Sequence, residues 1–226
     1  MEFLYPWSRE IHIYVQNVRS LRSKTKPVYL SACVNEYTLY AITESWLSGD
    51  ILNSEIVPSD YTVLRHDRDP KTSGRKVGVG VFLGVSSDVD LAPLDLSPVT
   101  AFSPLINAVG GTCTVGTNQF LIIVVYLPPD TPCQVLENFF SSLEIIIGGK
   151  DALILGDFNI PHLGNDNIKD SKSISCSDFM YSCELRQFNN ILNCNSRSLD
   201  LVISNLPITV RRADIICVKE DPNIRL

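Results

Sequence analysis

Short apolar runs bounded by turn residues recur along the chain, and their spacing predicts a series of buried strands. IHIYV at 11–15, TLYAIT at 38–43, YTVLR at 61–65 and VGVGVFL at 77–83 open the series. FLIIVVY at 120–126, ALILG at 152–156 and LDLVIS at 199–204 continue it. Some are apolar at nearly every position, as expected of strands covered on both faces. One segment instead has a helical period: Val135, Leu136, Phe139, Phe140, Leu143, Ile146 and Ile147 recur at helical spacing, and Gly148-Gly149 ends the run. Its expected N-cap is Thr131, with Pro132 at the first helical position and Gln134 closing a capping box. A second, weaker helix is expected from near Ser177, carrying Phe179, Met180 and Cys183 inward. Strands and helices mixed in this way predict an α/β fold with sheets sandwiched by helices. With no repeat, low-complexity tract or linker, residues 1–226 are expected to form one domain.

Composition narrows the function classes. A chain of 226 residues, 45% of them hydrophobic, can bury a substantial core. The formal net charge of −6 argues against a protein that coats nucleic acid nonspecifically, because phosphate-driven binding needs a dense Lys/Arg surface. Two local groups of basic residues stand out: Arg19, Arg22, Lys24 and Lys26, then Arg65, Arg68, Lys71, Arg75 and Lys76. A solvated face is the ordinary reading of such runs, and a phosphate-contacting rim is the alternative. The seven cysteines include no C-x-x-C pair and fit no zinc template, so reduced thiols packed as small hydrophobes are expected. The start, MEFLYPWSRE, lacks the order of a signal peptide, and FLIIVVYLPP at 120–129 is too short to span a bilayer. A soluble, intracellular protein without a membrane partner is the expectation.

The polar residues that follow the buried runs carry the chemistry. IHIYV leads into Gln16 and Asn17, TLYAIT into Glu44, FLIIVVY closes on Tyr126, and ALILG delivers Asp157 and Asn159. Open α/β sheets place ligands beyond the carboxyl ends of their strands, so these groups would converge on one cleft. Among them the two acids Glu44 and Asp157, the two amides Asn17 and Asn159, and the phenol of Tyr126 form a hard-oxygen set suited to Mg²⁺ and a phosphate. Singly, each has a plainer explanation: a solvated acid, a turn-forming asparagine, a strand-end tyrosine. Their repeated placement at strand ends favours the common site.

The same residues carry a family likeness. YVQNVRSLRSK at 14–24, ITESWL at 42–47, VLRHDRD at 63–69, VVYLPP at 124–129, LILGDFNIP at 153–161 and SLDLVIS at 198–204 occur in one order. In that order the chain resembles the endonuclease/exonuclease/phosphatase superfamily, which includes apurinic/apyrimidinic endonucleases. Within it, the chain is most similar to the endonuclease domains of non-LTR retrotransposons, over essentially its whole length. The resemblance implies a four-layer α/β sandwich, two mixed sheets flanked by helices, and a divalent cation, Mg²⁺ or Mn²⁺. It implies Glu44 as the principal metal ligand, with Asn17 helping to hold the metal-bound phosphate. Tyr126 would hydrogen-bond the scissile phosphate, Asp157 would orient or deprotonate the attacking water, and Asn159 would steady the pentavalent transition state. Asp200 matches the carboxylate that orients a catalytic histidine in relatives. The implied partner is the DNA phosphate backbone, and nuclear action is implied by the resemblance alone.

The chain departs from the family pattern where relatives carry a near-C-terminal Asp-His. It ends VKEDPNIRL, with Asp221 near the expected Asp and Asn223, Ile224 and Arg225 where the histidine belongs. Of the other histidines, His12 and His66 do not replace it and His162, after GDFNIP, is the nearest substitute. VGVGVF also stands where relatives often show a glycine triplet. The expectation is therefore a domain truncated at its C-terminus and lacking its last strand. Its activity would be that of an Mg²⁺-dependent phosphodiester hydrolase, a DNA endonuclease of retrotransposon type, impaired by the missing histidine. The alternatives are a catalytically inactive remnant that retains the fold, and a phosphatase or phosphodiesterase of the same superfamily.

Overall fold

The apolar runs pair into two mixed sheets. In the first, β1 (Ile13–Asn17) lies parallel to β2 (Leu39–Thr43), and β3 (Tyr61–His66) and β4 (Val81–Ser86) add antiparallel, in the order β1-β2-β4-β3. The second contains β5 (Asp90–Pro93), β6 (Asn107–Val115), β7 (Asn118–Tyr126), β8 (Ala152–Asp157), β9 (Arg186–Gln187) and β10 (Asp200–Ser204). Its order is β5-β6-β7-β8-β10-β9, with β7 and β8 parallel and the other neighbours antiparallel. This is a computed structural model, and it describes residues 10–34, 36–67, 79–164, 170–193, 197–213 and 216. Arg68, Lys71, Arg75, Lys76, Cys194, Cys217 and the terminal VKEDPNIRL lie outside those residues.

Side-chain alternation assigns the layers. Leu39 and Ala41 of β2 meet Ile122 and Val124 of β7 and Leu153 and Leu155 of β8 in a core between the sheets. Tyr40 and Ile42 point the other way, into a core with Val28 and Ala32 of α1 (Thr25–Cys33). On the far side of the second sheet, Leu121, Ile123, Val125 and Ile154 pack beneath α2 (Ser97–Thr100), α3 (Cys133–Ile147) and α4 (Ser171–Ser182). Phe140 of α3 and Phe179 of α4 stack at 4.8 Å. The result is helix, sheet, sheet, helix: the four-layer sandwich.

Local chemistry explains where the elements begin and end. Gly148 closes α3 in the left-handed region, φ 52°, as its position after the periodic run predicts. The N-terminus of α3 differs from expectation. Pro132 is the N-cap, in extended conformation, and the Thr131 hydroxyl donates to the Pro128 carbonyl at 2.7 Å instead of capping. Helix α4 starts at Ser171, earlier than the apolar pattern suggests, because the Asp170 carboxylate accepts the backbone N–H groups of Lys172 and Ser173. Among the described residues the cysteines Cys33, Cys113, Cys133, Cys176 and Cys183 are free thiols, and no helix is long and apolar enough to cross a membrane.

Candidate active site

Strand parity turns a set of polar side chains toward one another. On β8, Leu153 and Leu155 face the first sheet, so Asp157 continues that face at the strand's end. Ile122 and Val124 place Tyr126 on the same face of β7, and Val202 places Asp200 there on β10. The ladder sets these three side by side: Tyr126 pairs with Asp157, and Asp157 with Asp200. Asn17 ends β1 on the opposing sheet, following the inward parity of Ile13 and Val15.

Glu44 arrives differently. Strict alternation would send it with Tyr40 and Ile42 to the outer face of the first sheet. The strand stops at Thr43, and Glu44 adopts a left-handed conformation, φ 50°, that ends the alternation. The Asn17 amide then joins both acids: its Nδ2 donates to Glu44 Oε1 at 3.0 Å and to Asp157 Oδ2 at 2.8 Å. Asn17 Oδ1 is taken by the Arg19 backbone N–H at 3.2 Å, so as placed Asn17 offers the acids its nitrogen. Non-glycine residues with positive φ gather in the loops that leave these strands, Arg19, Ser20, Glu44, Trp46 and Asn159, and in the segment that enters β4, Val79. Such conformations persist only where the surroundings impose them, and they concentrate at functional sites.

Among the described residues no cationic side chain pairs with Glu44, Asp157 or Asp200. Asp157 is 5% exposed. Its Oδ1 accepts the Asn159 backbone N–H at 3.1 Å. Burial, with Glu44 nearby, still raises its pKa to about 6 against the lowering effect of Asn17 and Asn159. Asp200 is raised to about 7, by burial first and then by Asp157 and Glu44. Its Oδ1 is shut off from solvent with no hydrogen-bond partner among the described residues. A carboxylate oxygen enclosed without a donor beside two further acids is a place for a cation or a proton donor.

A hard divalent cation suits this donor chemistry, with a limited protein shell. Among the described residues no group of three or more His, Cys, Asp or Glu side chains could enclose an ion. Mg²⁺ commonly keeps several waters and takes only one or two carboxylates. Glu44, reached by Asn17 yet only half-buried, fits that role better than Asp157, whose two oxygens are already engaged.

The remaining expected residues are placed as follows. Tyr126 is buried at the end of β7 and forms part of the inter-sheet core. Asn159 donates its Nδ2 to the Leu127 carbonyl at 2.8 Å, tying the loop after β8 to the end of β7. Asp170, at the start of α4, is held below the usual carboxylate range against the raising effect of burial, by the Ser173 hydroxyl and the Ser173 and Lys172 N–H groups, with nearby His162 contributing least. His66 ends β3, and burial lowers its pKa. Arg65 is committed to structure: its guanidinium donates to the Ser48 and Ile51 carbonyls, to Asn53 and to Asp67. Arg22 is paired with Asp50 and Ser48, and Lys24 donates to the Val18 carbonyl. Of the first basic group, Arg19 and Lys26 remain as exposed cations. A residue missed in the sequence is Asn107, 3% exposed at the start of β6 and opposite Tyr126 in the ladder. Its signal was weak, because Gly110 and Gly111 interrupt the apolar pattern of that strand.

No protein-family model matches the chain, and no curated protein matches its sequence. Solved structures do match its fold. The endonuclease domain of TRAS1, a telomere-specific non-LTR retrotransposon, superposes with a TM-score of 0.63 at 15% identity, over 85% of this chain and 83% of that one. The human Nocturnin catalytic domain with bound sulfate gives 0.60 at 14% identity, over 86% and 81%. The 3′ phosphatase NExo from Neisseria, bound to a product DNA hairpin, gives 0.54 at 15% identity, over 86% of each chain. Identities this low speak to architecture, and by its architecture the chain has the endonuclease/exonuclease/phosphatase fold.

Proposed function

We propose that this chain is a divalent-cation-dependent phosphodiester hydrolase, a DNA endonuclease of the retrotransposon kind. The observation that carries this reading is the Asn17 amide, which holds Glu44 and Asp157 together across the two sheets. Bound Mg²⁺ or Mn²⁺ would supply Lewis-acid stabilisation of charge on a phosphate oxygen. Glu44 is the residue assigned to hold it. Asp157, raised to about 6, is matched to accepting a proton from water near neutral pH. Tyr126, adjacent in the ladder, is assigned to the phosphate, and Asn159 to the transition state. Exposed Arg19, two residues from Asn17, is the nearest free cation for a DNA backbone in the first basic group.

Among the described residues the enclosed Oδ1 of Asp200 lacks a donor, which leaves a place for an imidazole. This carboxylate matches the one that orients a histidine in relatives, and the sequence has no histidine after His162. Loss of one preorganised donor costs on the order of 10²–10³ in rate. In a supercoiled-plasmid assay with Mg²⁺, residues 1–226 should nick slowly. The same chain extended by an Asp-His-containing tail should be faster by that factor, and Asp157→Ala should be inactive in both. Robust nicking by the unextended chain, abolished by Asp157→Ala, would show the imidazole to be dispensable. Absence of nicking even with the tail would favour the inactive remnant.

Cation binding is checked separately. Calorimetry should show weak Mg²⁺ or Mn²⁺ binding, reduced about tenfold or more in Glu44→Gln. Equal affinity in the two proteins would remove Glu44 from the site.

A further inference from the structure

We propose that Asn107 is a positioning residue for Glu44, setting the place of the Glu44 turn relative to the sheet that carries Tyr126 and Asp157. This rests on the reading of Glu44 as the cation-binding acid. Asn107 opens β6 directly opposite Tyr126, and the parity of Val109 and Cys113 turns it toward the first sheet. Its Oδ1 accepts the Gly80 backbone N–H at 2.5 Å. The Gly80 carbonyl in turn accepts the Ser45 N–H at 3.0 Å, and the Val79 carbonyl accepts the Trp46 N–H at 3.2 Å. Asn107 therefore reaches Ser45, the residue after Glu44, through the single residue Gly80, and Trp46 through the Val79–Gly80 peptide.

The other supports of that turn belong to the first sheet's own chain. Ser20 N–H donates to the Glu44 carbonyl and Leu21 N–H to the Ser45 carbonyl, each at 2.8 Å. They hold the turn to the end of β1 and say nothing of its height above the second sheet. Gly80 leaves no slack in the relay: a Cβ there would lie 2.6 Å from Ser45 Oγ. Asn17 also crosses between the sheets, but it touches the acids themselves, whereas Asn107 acts on the backbone that presents one of them.

The test compares the full chain with Asn107→Leu, which keeps the side-chain shape and loses the acceptor, and Asn107→Asp, which keeps an acceptor oxygen. Amide exchange at Ser45 and Trp46 is followed by NMR, Mn²⁺ affinity by calorimetry, and folding by thermal melts. In the leucine variant both amides should exchange at least about tenfold faster, and Mn²⁺ should bind about tenfold more weakly, the range found when a metal ligand loses its supporting partner. The aspartate variant should restore both to within about threefold of the parent. Unchanged exchange and affinity in a folded leucine variant, with only a lower melting temperature, would overturn the proposal. If the leucine variant does not fold, Asn107→Ser, whose hydroxyl stops short of Gly80, takes its place under the same criteria. A parent protein that binds no Mn²⁺ would sink the assignment of Glu44, while the exchange comparison would still decide whether Asn107 holds the turn.

Discussion

Asp200→Asn should raise the stability of the metal-free protein at pH 8, by roughly 2 kcal/mol. Asp200 has a folded pKa of about 7, above the ordinary 3.8, because burial and the neighbouring Asp157 and Glu44 oppose its charge. A group raised in this way gives its full contribution below the unfolded pKa and loses it as pH rises through the folded one. The wild type should therefore weaken between about pH 4 and pH 8. Asp157, raised to about 6, weakens it in the same direction. Asparagine keeps the shape of Asp200 and removes its titration, so the gain should vanish below pH 4, grow between pH 4 and pH 7, and level off above. Urea denaturation at pH 4, 6 and 8 measures it directly. Saturating Mg²⁺ should shrink the difference, because a cation in the cleft relieves the repulsion that asparagine removes. A gain independent of pH would mean that charge at Asp200 is not the cause.

Gly156→Ala should leave the protein largely unfolded, or destabilise it by more than about 3 kcal/mol. Gly156 sits in β8 with φ 137°, where a Cβ would stand 1.9 Å from the Val125 carbonyl oxygen. Val125 and Gly156 are partners in the parallel β7–β8 pair at the centre of the second sheet. Relief would require those two strands to part, and Tyr126 and Asp157 are the next residues on each. Circular dichroism and urea denaturation give the result. A folded alanine variant within about 1 kcal/mol of wild type would show that the central pair can separate without unravelling the sheet.

How much of this was legible beforehand depended on how each strand is covered. β7 and β8 are buried on both faces, so FLIIVVY and ALILG announce themselves by apolar continuity. β6 is as well buried at many positions, but its sequence NAVGGTCTV hides it, since Gly110 and Gly111 answer to close backbone neighbours. Helix α1 was missed because TKPVYLSAC carries Pro27 in its first turn and few strongly apolar residues. VGVGVFL foretold β4 but not its start at Val81, because Val79 and Gly80 take positive φ. For the candidate site, the strand-end rule identified Asn17, Glu44, Tyr126 and Asp157 as neighbours. It did not reveal how Glu44 leaves its strand's alternation, the direction of the Asn17 amide, or the relay from Asn107. Those depend on single backbone torsions and on one sheet's height above another, which no local pattern encodes.

The amide bridge from Asn17 to Asp157 spans 140 residues of sequence. Contacts of that separation come together only after the intervening chain has ordered, because closing so large a loop costs entropy before any bond rewards it. Asn17, Glu44 and Asp157 are thus expected to meet late in folding, after each sheet has formed its ladder. Changes to that bridge would then act chiefly on how fast the native chain opens and only slightly on how fast it folds. Any chemistry located here is also inseparable from the finished tertiary structure: a nascent chain that has not yet released β8 has half a cleft.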